Sequence, residues 1–216
     1  MRRTRIKFCG ITRVQDALAA VELGADAIGL VLHANSPRRI CIELAGQILA
    51  ELPPFVTPVG LFVDPTPRIV LDIAAAVGLG HVQLHGQESP DLLASLPGHL
   101  RIIKALRIGP DRTAQELAIW RQAKSVAAIL LDSGAGGSGV ENDWQLIHSL
   151  QQSGHLPDHP RLILAGGLRP DNVADVVRLL RPWAVDVSSG IEESPGIKSA
   201  QRMAAFVQAV RAADLS

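Results

Sequence analysis

Two residues have the types and positions to move protons. Cys9 ends the short run Lys7-Phe8-Cys9, beside Gly10 and just before a helix start signal. Asp132 follows the apolar run Ala127 to Leu131. A thiol and a carboxyl group opening onto one cavity form a base and an acid. A free thiol titrates at about 8.5; Lys7, on the same strand face, would lower that value and enlarge the thiolate fraction. Asp132 must hold a proton before it can donate one, which partial burial or a neighbouring negative charge would favour. The plainer alternatives are a Cys9 that packs as a small hydrophobe and an Asp132 that anchors a loop.

Three further stretches suggest anion binding. Ala165-Gly166-Gly167-Leu168 and Ser188-Ser189-Gly190-Ile191 each follow an apolar run. Glycines let backbone N–H groups approach an anion closely, and two tight turns are the alternative. Ser36-Pro37-Arg38-Arg39 follows another such run, and the planar fork of Arg38 suits a carboxylate. Ser133 to Gly139 is glycine-rich but lacks the Lys-Ser/Thr of a nucleotide triphosphate loop, so it reads as a lid beside Asp132.

These residues need elements to hold them, and the chain alternates short apolar runs with longer periodic segments. The runs are Ile6–Cys9, Asp26–Leu32, Thr57–Val63, His81–Leu84, Arg101–Leu106, Ala127–Leu131, Arg161–Leu164 and Ala184–Val187. Helical segments are expected at about 13–23, 42–52 and 67–77, then from Ser89-Pro90 and from Pro110-Asp111. Three more start near Asp143, at a cap on Asp171, and at Ser199 to run to about Ala212. Eight strand–helix pairs without a composition break predict an α/β fold, a single (β/α)₈ barrel over residues 1–216. An open doubly wound sheet also alternates, but the glycine fingerprint it would carry after the first strand is missing. A barrel this short needs brief loops and abbreviated helices. Its reacting groups would sit at the carboxyl ends of the strands, with phosphate held after strands seven and eight.

Period-two alternation proposes an inner face carrying Lys7, Cys9, Gln83, His85, Lys104, Asp132, Asp186 and Ser188. Lys7, Lys104 and Asp186 would form a paired charge cluster below the mouth, because unpaired buried charges are costly. Cys41 opens a helix and reads as packing. His33, His99, His148, His155 and His159 have no ligand spacing.

Composition narrows the partners. Among 216 residues, 47% are hydrophobic and 19% charged, with 21 basic and 21 acidic side chains. Zero net charge argues against nucleic acid or an anionic membrane as partner. The basic amino terminus lacks the apolar core of a signal peptide, and no stretch reaches the roughly 18 apolar residues of a membrane span. Two cysteines without ligand spacing suggest neither a metal site nor a disulfide framework. The chain reads as cytoplasmic.

Taken in order, Lys7-Phe8-Cys9-Gly10-Ile11-Thr12, Ser36-Pro37-Arg38, Pro58 to Val63, Val82 to Gly86, Leu131-Asp132, Gly136 to Gly139, Asp143-Trp144, Ala165 to Leu168 and Asp186 to Glu192 resemble the phosphoribosylanthranilate isomerase family of tryptophan biosynthesis. The resemblance spans nearly the whole chain. It implies a barrel that converts N-(5-phosphoribosyl)anthranilate to its deoxyribulose isomer without metal or organic cofactor. It also implies Cys9 as general base, Asp132 as general acid and Arg38 on the anthranilate carboxylate, with Gly166, Gly167, Ser188, Ser189 and Gly190 around the phosphate. A monomer is expected over a homodimer. Leu30 and Leu32 replace a more aromatic run, and Val140 stands where a lysine is common. Rival readings are another phosphate-binding barrel, a non-catalytic phosphosugar binder, or an aldolase using Lys104.

Overall fold

A computed structural model describes residues 3–109, 113–120, 122–123, 125–133, 144–156 and 161–215. The eight runs form strands β1 (Arg5–Cys9), β2 (Ala27–His33), β3 (Thr57–Phe62), β4 (His81–Leu84), β5 (Arg101–Arg107), β6 (Val126–Asp132), β7 (Arg161–Ala165) and β8 (Ala184–Val187). They pair in parallel, in sequence order, and β8 returns to β1 to close a barrel. Between them lie α1 (Val14–Glu22), α2 (Ile42–Ala50), α3 (Pro67–Val77), α4 (Thr113–Trp120), α5 (Trp144–Gln152) and α6 (Val173–Leu180), and α7 (Ala200–Asp214) follows. The expected abbreviation falls after β4, where a 3₁₀ segment, Pro90–Ser95, replaces an α-helix.

Local chemistry accounts for several boundaries. Thr66 accepts a hydrogen bond from the Ile69 N–H, and Pro67 occupies the first turn of α3, where its missing donor does no harm. Gly78 closes that helix in the left-handed conformation. The cap of α6 is Asn172, one residue beyond the expected Asp171, whose carboxylate instead pairs with Arg169. Beyond β8 the chain makes a 3₁₀ turn, Ser189–Ile191, and an unforeseen hairpin of β9 (Glu192–Ser194) and β10 (Ile197–Lys198). Cys41 caps α2 and is exposed, so it is not the packing residue expected.

Alternation divides the barrel wall. Ile6, Phe8, Val185 and Val187 face outward into the main core against the helices, where Phe8 meets Phe206 edge-on at 6.1 Å. Val59, Ile103, Ala105, Ala128, Leu130 and Ala184 belong to a second, inner apolar cluster. Lys104 therefore faces outward, contrary to the expectation. Its ammonium donates to Glu88 at 2.6 Å and to the Gly86 carbonyl at 2.7 Å, and lies 5.2 Å from the Trp120 ring. A lysine this deeply paired fastens the turn after β4 and is withdrawn from the interior. The buried charges beneath the mouth are Lys7 and Asp186, 2.8 Å apart.

Candidate active site

The carboxyl ends of the strands surround a cavity of about 430 Å³. Cys9, Arg38, Asp132, Gly166, Gly167, Ser188 and Ser189 all line it. Gly190 does not; its α-carbon packs against the Leu168 carbonyl, where a side chain would collide, so it shapes the turn. The glycine-rich run 134–139, Val140 and Asp143 lie outside the described residues.

Cys9 is buried at the end of β1, in register with Gly29 of β2. A Cβ on Gly29 would stand 2.7 Å from Cys9 Sγ and 3.1 Å from Lys7 Nζ, so this glycine makes room for the thiol and its cation. Burial pushes the Cys9 thiol up from its usual range, opposed by the charge of Lys7 and reinforced by that of Asp186. Lys7 does favour the thiolate, as expected, but burial outweighs it. Lys7 itself is buried, which works against its charge, yet Asp186 and then Cys9 raise its pKa above the usual value. The ammonium thus stays charged beneath the thiol.

Asp132 ends β6 between Arg107 of β5 and Ala165 of β7. Its Oδ2 lies 3.1 Å from His85 Nε2, and His85 Nδ1 lies 2.8 Å from Gln83 Nε2. With the amide in this orientation, Gln83 donates to Nδ1, leaving the ring hydrogen on Nε2 facing Asp132. Gln83 Oε1 is buried without a hydrogen-bond partner among the described residues. Gly166, at φ 87°, lies so close to Asp132 Oδ1 that a side chain there would displace the carboxylate. Period two had put His85 on the inner face, but its contact with Asp132 spans β5 and leaves no mark in the sequence.

Arg38 reaches the cavity across Gly10, which has φ 73° and whose Cβ would meet the arginine Cδ at 2.6 Å. The Arg38 Nε and Nη2 groups donate to the two oxygens of Glu192 at 2.8 and 2.6 Å. Burial works against the Glu192 charge, but hydrogen bonds from Arg38 and Lys198 outweigh it and hold the carboxyl below its usual range. Lys198 donates to Glu192 at 2.8 Å and to the Cys9 carbonyl at 2.6 Å. Neither Glu192 nor Lys198 had been assigned a role. Glu192 closes the Asp186–Glu192 motif; Lys198 stands in the unforeseen hairpin, which carries no periodic signal.

Among the described residues no helix is long and apolar enough to cross a membrane, and no group of three or more His, Cys, Asp or Glu could hold a metal ion.

A barrel mouth with a thiol, a carboxyl group and an oriented arginine beside glycine turns defines the class: a (β/α)₈ barrel equipped for acid–base chemistry on a small anionic molecule. The family model described as N-(5'phosphoribosyl)anthranilate (PRA) isomerase matches residues 6–209. A relative of that name from Thiobacillus denitrificans is 46% identical over 213 residues, covering 96% of this chain and 98% of its own. The crystal structure of phosphoribosyl anthranilate isomerase from Thermotoga maritima superposes with a TM-score of 0.86 at 40% identity, covering 97% of this chain and 99% of that one. Another isomerase structure, in complex with reduced 1-(o-carboxyphenylamino)-1-deoxyribulose 5-phosphate, gives 0.84 at 39% identity over the same shares. The chain belongs to the phosphoribosylanthranilate isomerase family.

Proposed function

We propose that the chain is the cofactor-independent isomerase that converts N-(5-phosphoribosyl)anthranilate to 1-(2-carboxyphenylamino)-1-deoxyribulose 5-phosphate in tryptophan biosynthesis, with Cys9 as base and Asp132 as acid. The observation that carries this assignment is the placement of both groups on one cavity, at the carboxyl ends of β1 and β6. Asp132 gives its proton to the ribose ring oxygen; the C1–O bond breaks and a Schiff base forms with the anthranilate nitrogen. The Cys9 thiolate then takes the proton from C2, and the resulting enolamine tautomerises to the ketone. Each such proton transfer contributes about 10²–10⁴-fold.

Arg38 takes the anthranilate carboxylate. Backbone N–H groups of Gly166, Gly167, Ser188 and Ser189 take the phosphate, with Gly190 shaping the second turn. Arg38 comes from the loop after β2 and the glycine turns follow β7 and β8, all on the rim of the same cavity. A monomer is the working unit proposed, which sedimentation equilibrium checks. The cytoplasm is the compartment proposed, where a thiol base stays reduced.

The deciding experiment follows the loss of substrate fluorescence with purified protein in chelator, with the ketose product identified. Cys9→Ser and Asp132→Asn should each retain binding and lose about 10²–10⁴-fold in turnover. Full activity in either variant would remove that residue from its role.

A further inference from the structure

The Arg38 guanidinium is already engaged. Its Nε–Nη2 edge is bonded to both oxygens of Glu192, whose side chain is only 5% exposed, so solvent screens that negative charge weakly. An arginine paired so closely with a carboxylate is a poor receptor for a second one, because the two charges cancel at short range. The outer edge, formed by Nη1 and the second N–H of Nη2, still has the geometry to clamp a carboxylate from the cavity.

What restores the charge is Lys198. Its side chain is fully buried, and Nζ lies 2.8 Å from Glu192 Oε1, on the oxygen that also receives Arg38 Nε. Its remaining bonds go to the Cys9 carbonyl at 2.6 Å, the Ser188 carbonyl at 3.2 Å and the Ser188 hydroxyl at 3.4 Å. Lys198 does not line the cavity, so it meets the substrate only through its neighbours. Burial lowers the pKa of Lys198, opposed by the hydrogen bond and charge of Glu192. With Lys198 protonated on that carboxylate, the cluster holds two cations and one anion, leaving one positive charge to face the mouth through Arg38. The other buried pair nearby, Lys7 with Asp186, is neutral as a unit.

We propose that Lys198 is a specificity-determining residue: by neutralising Glu192 it leaves the Arg38 site with a net positive charge toward the substrate's aryl carboxylate. Glu192 orients the fork, and Lys198 offsets the charge this orientation introduces. This rests on Arg38 being the carboxylate site.

The test compares kcat/KM for N-(5-phosphoribosyl)anthranilate with that for the analogue made from aniline and ribose 5-phosphate, which has no carboxylate. The ratio of the two reads carboxylate recognition alone. Lys198→Met should lower this ratio at least about tenfold, mainly through KM for the carboxylated substrate. Lys198→Gln, which keeps hydrogen-bonding capacity, should lower it similarly. Adding Glu192→Gln to Lys198→Met removes the uncompensated anion and should return the ratio to within about threefold of the starting protein. Equal loss on both substrates, or a double variant as poor as Lys198→Met, would overturn the proposal and leave Lys198 as a support for the Cys9 backbone. If Lys198→Met does not fold, the glutamine and double variants carry the same comparison. Arg38→Met separates the two levels: a ratio unchanged by it removes Arg38 as the carboxylate site, whereas a collapsed ratio with indifferent Lys198 variants removes only the role of Lys198.

Discussion

His85 Nε2 meets Asp132 Oδ2 at 3.1 Å across the barrel mouth, linking strands that are not neighbours in the sheet. The contact orients the carboxyl group of the proposed acid. Oδ2 faces the ring N–H, and Oδ1 lies against Gly166. That is the side of the glycine turns, where the phosphate end of the sugar is proposed to lie. His85→Leu should therefore lower kcat by about 10–100-fold while changing KM much less, because a misdirected acid costs rate before affinity. Steady-state kinetics with and without Gln83→Leu checks the chain: the two losses should not add, since both act through the orientation of Asp132.

Cys9 gives the second prediction, with a definite sign. Burial raises its pKa, so with Cys9 as the proposed base the supply of thiolate limits the reaction at neutral pH. Activity should rise with pH through and above the ordinary thiol range of about 8.5. Lys7→Met removes the charge that opposes the burial effect, and the rise should move to still higher pH. The same change leaves Asp186 buried and unpaired, at a stability cost of about 3–5 kcal/mol. A pH–rate profile with denaturant unfolding separates these effects. A limb that stays in place after Lys7→Met would dissociate it from Cys9.

Much of this site was legible because barrel strands advertise themselves. Cys9 and Asp132 each end an apolar run, and eight such runs in order place both residues at one mouth. Lys104 shows where the same reasoning fails. β5 reads Arg-Ile-Ile-Lys-Ala-Leu-Arg and is apolar on both faces, so alternation does not decide which face is inner. The partner that draws Lys104 outward, Glu88, belongs to the turn after β4. Lys198 was hidden for a different reason. It bonds to a carbonyl 189 positions earlier in the chain, from a two-residue strand too short to carry a period.

Glu192 yields a third prediction, on stability. Arg38 and Lys198 hold its folded-state pKa below the unfolded value, so the native state binds this proton less readily than the unfolded chain does. Its contribution is thus present above the ordinary carboxyl value of about 4.3 and lost as pH falls through the depressed native value. Glu192→Gln should flatten that acid portion of the stability curve. Urea unfolding at successive pH values measures the slope. An unchanged slope would mean that the pair with Arg38 adds nothing to the difference in proton binding between the two states.

Gly29 supplies the last prediction, since it tests geometry without removing any reacting group. Its backbone belongs to β2 and pairs with Cys9 in regular parallel register, so alanine is conformationally acceptable there. The added methyl, however, would lie 2.7 Å from the thiol sulfur, 3.1 Å from the Lys7 ammonium and 3.2 Å from the Cys9 Cα. The β1 backbone is fixed by pairing on both sides, so the sulfur must move instead. A shift of about 1 Å in a reacting atom can cost about 10²-fold in rate. Overpacking typically costs about 1–3 kcal/mol in stability. Gly29→Ala should accordingly fold and bind a product analogue, yet lose at least about tenfold in kcat. Thermal unfolding and turnover measured on the same preparation decide the matter: a stable variant with normal kcat would show that the proton transfer does not require Cys9 in its observed position.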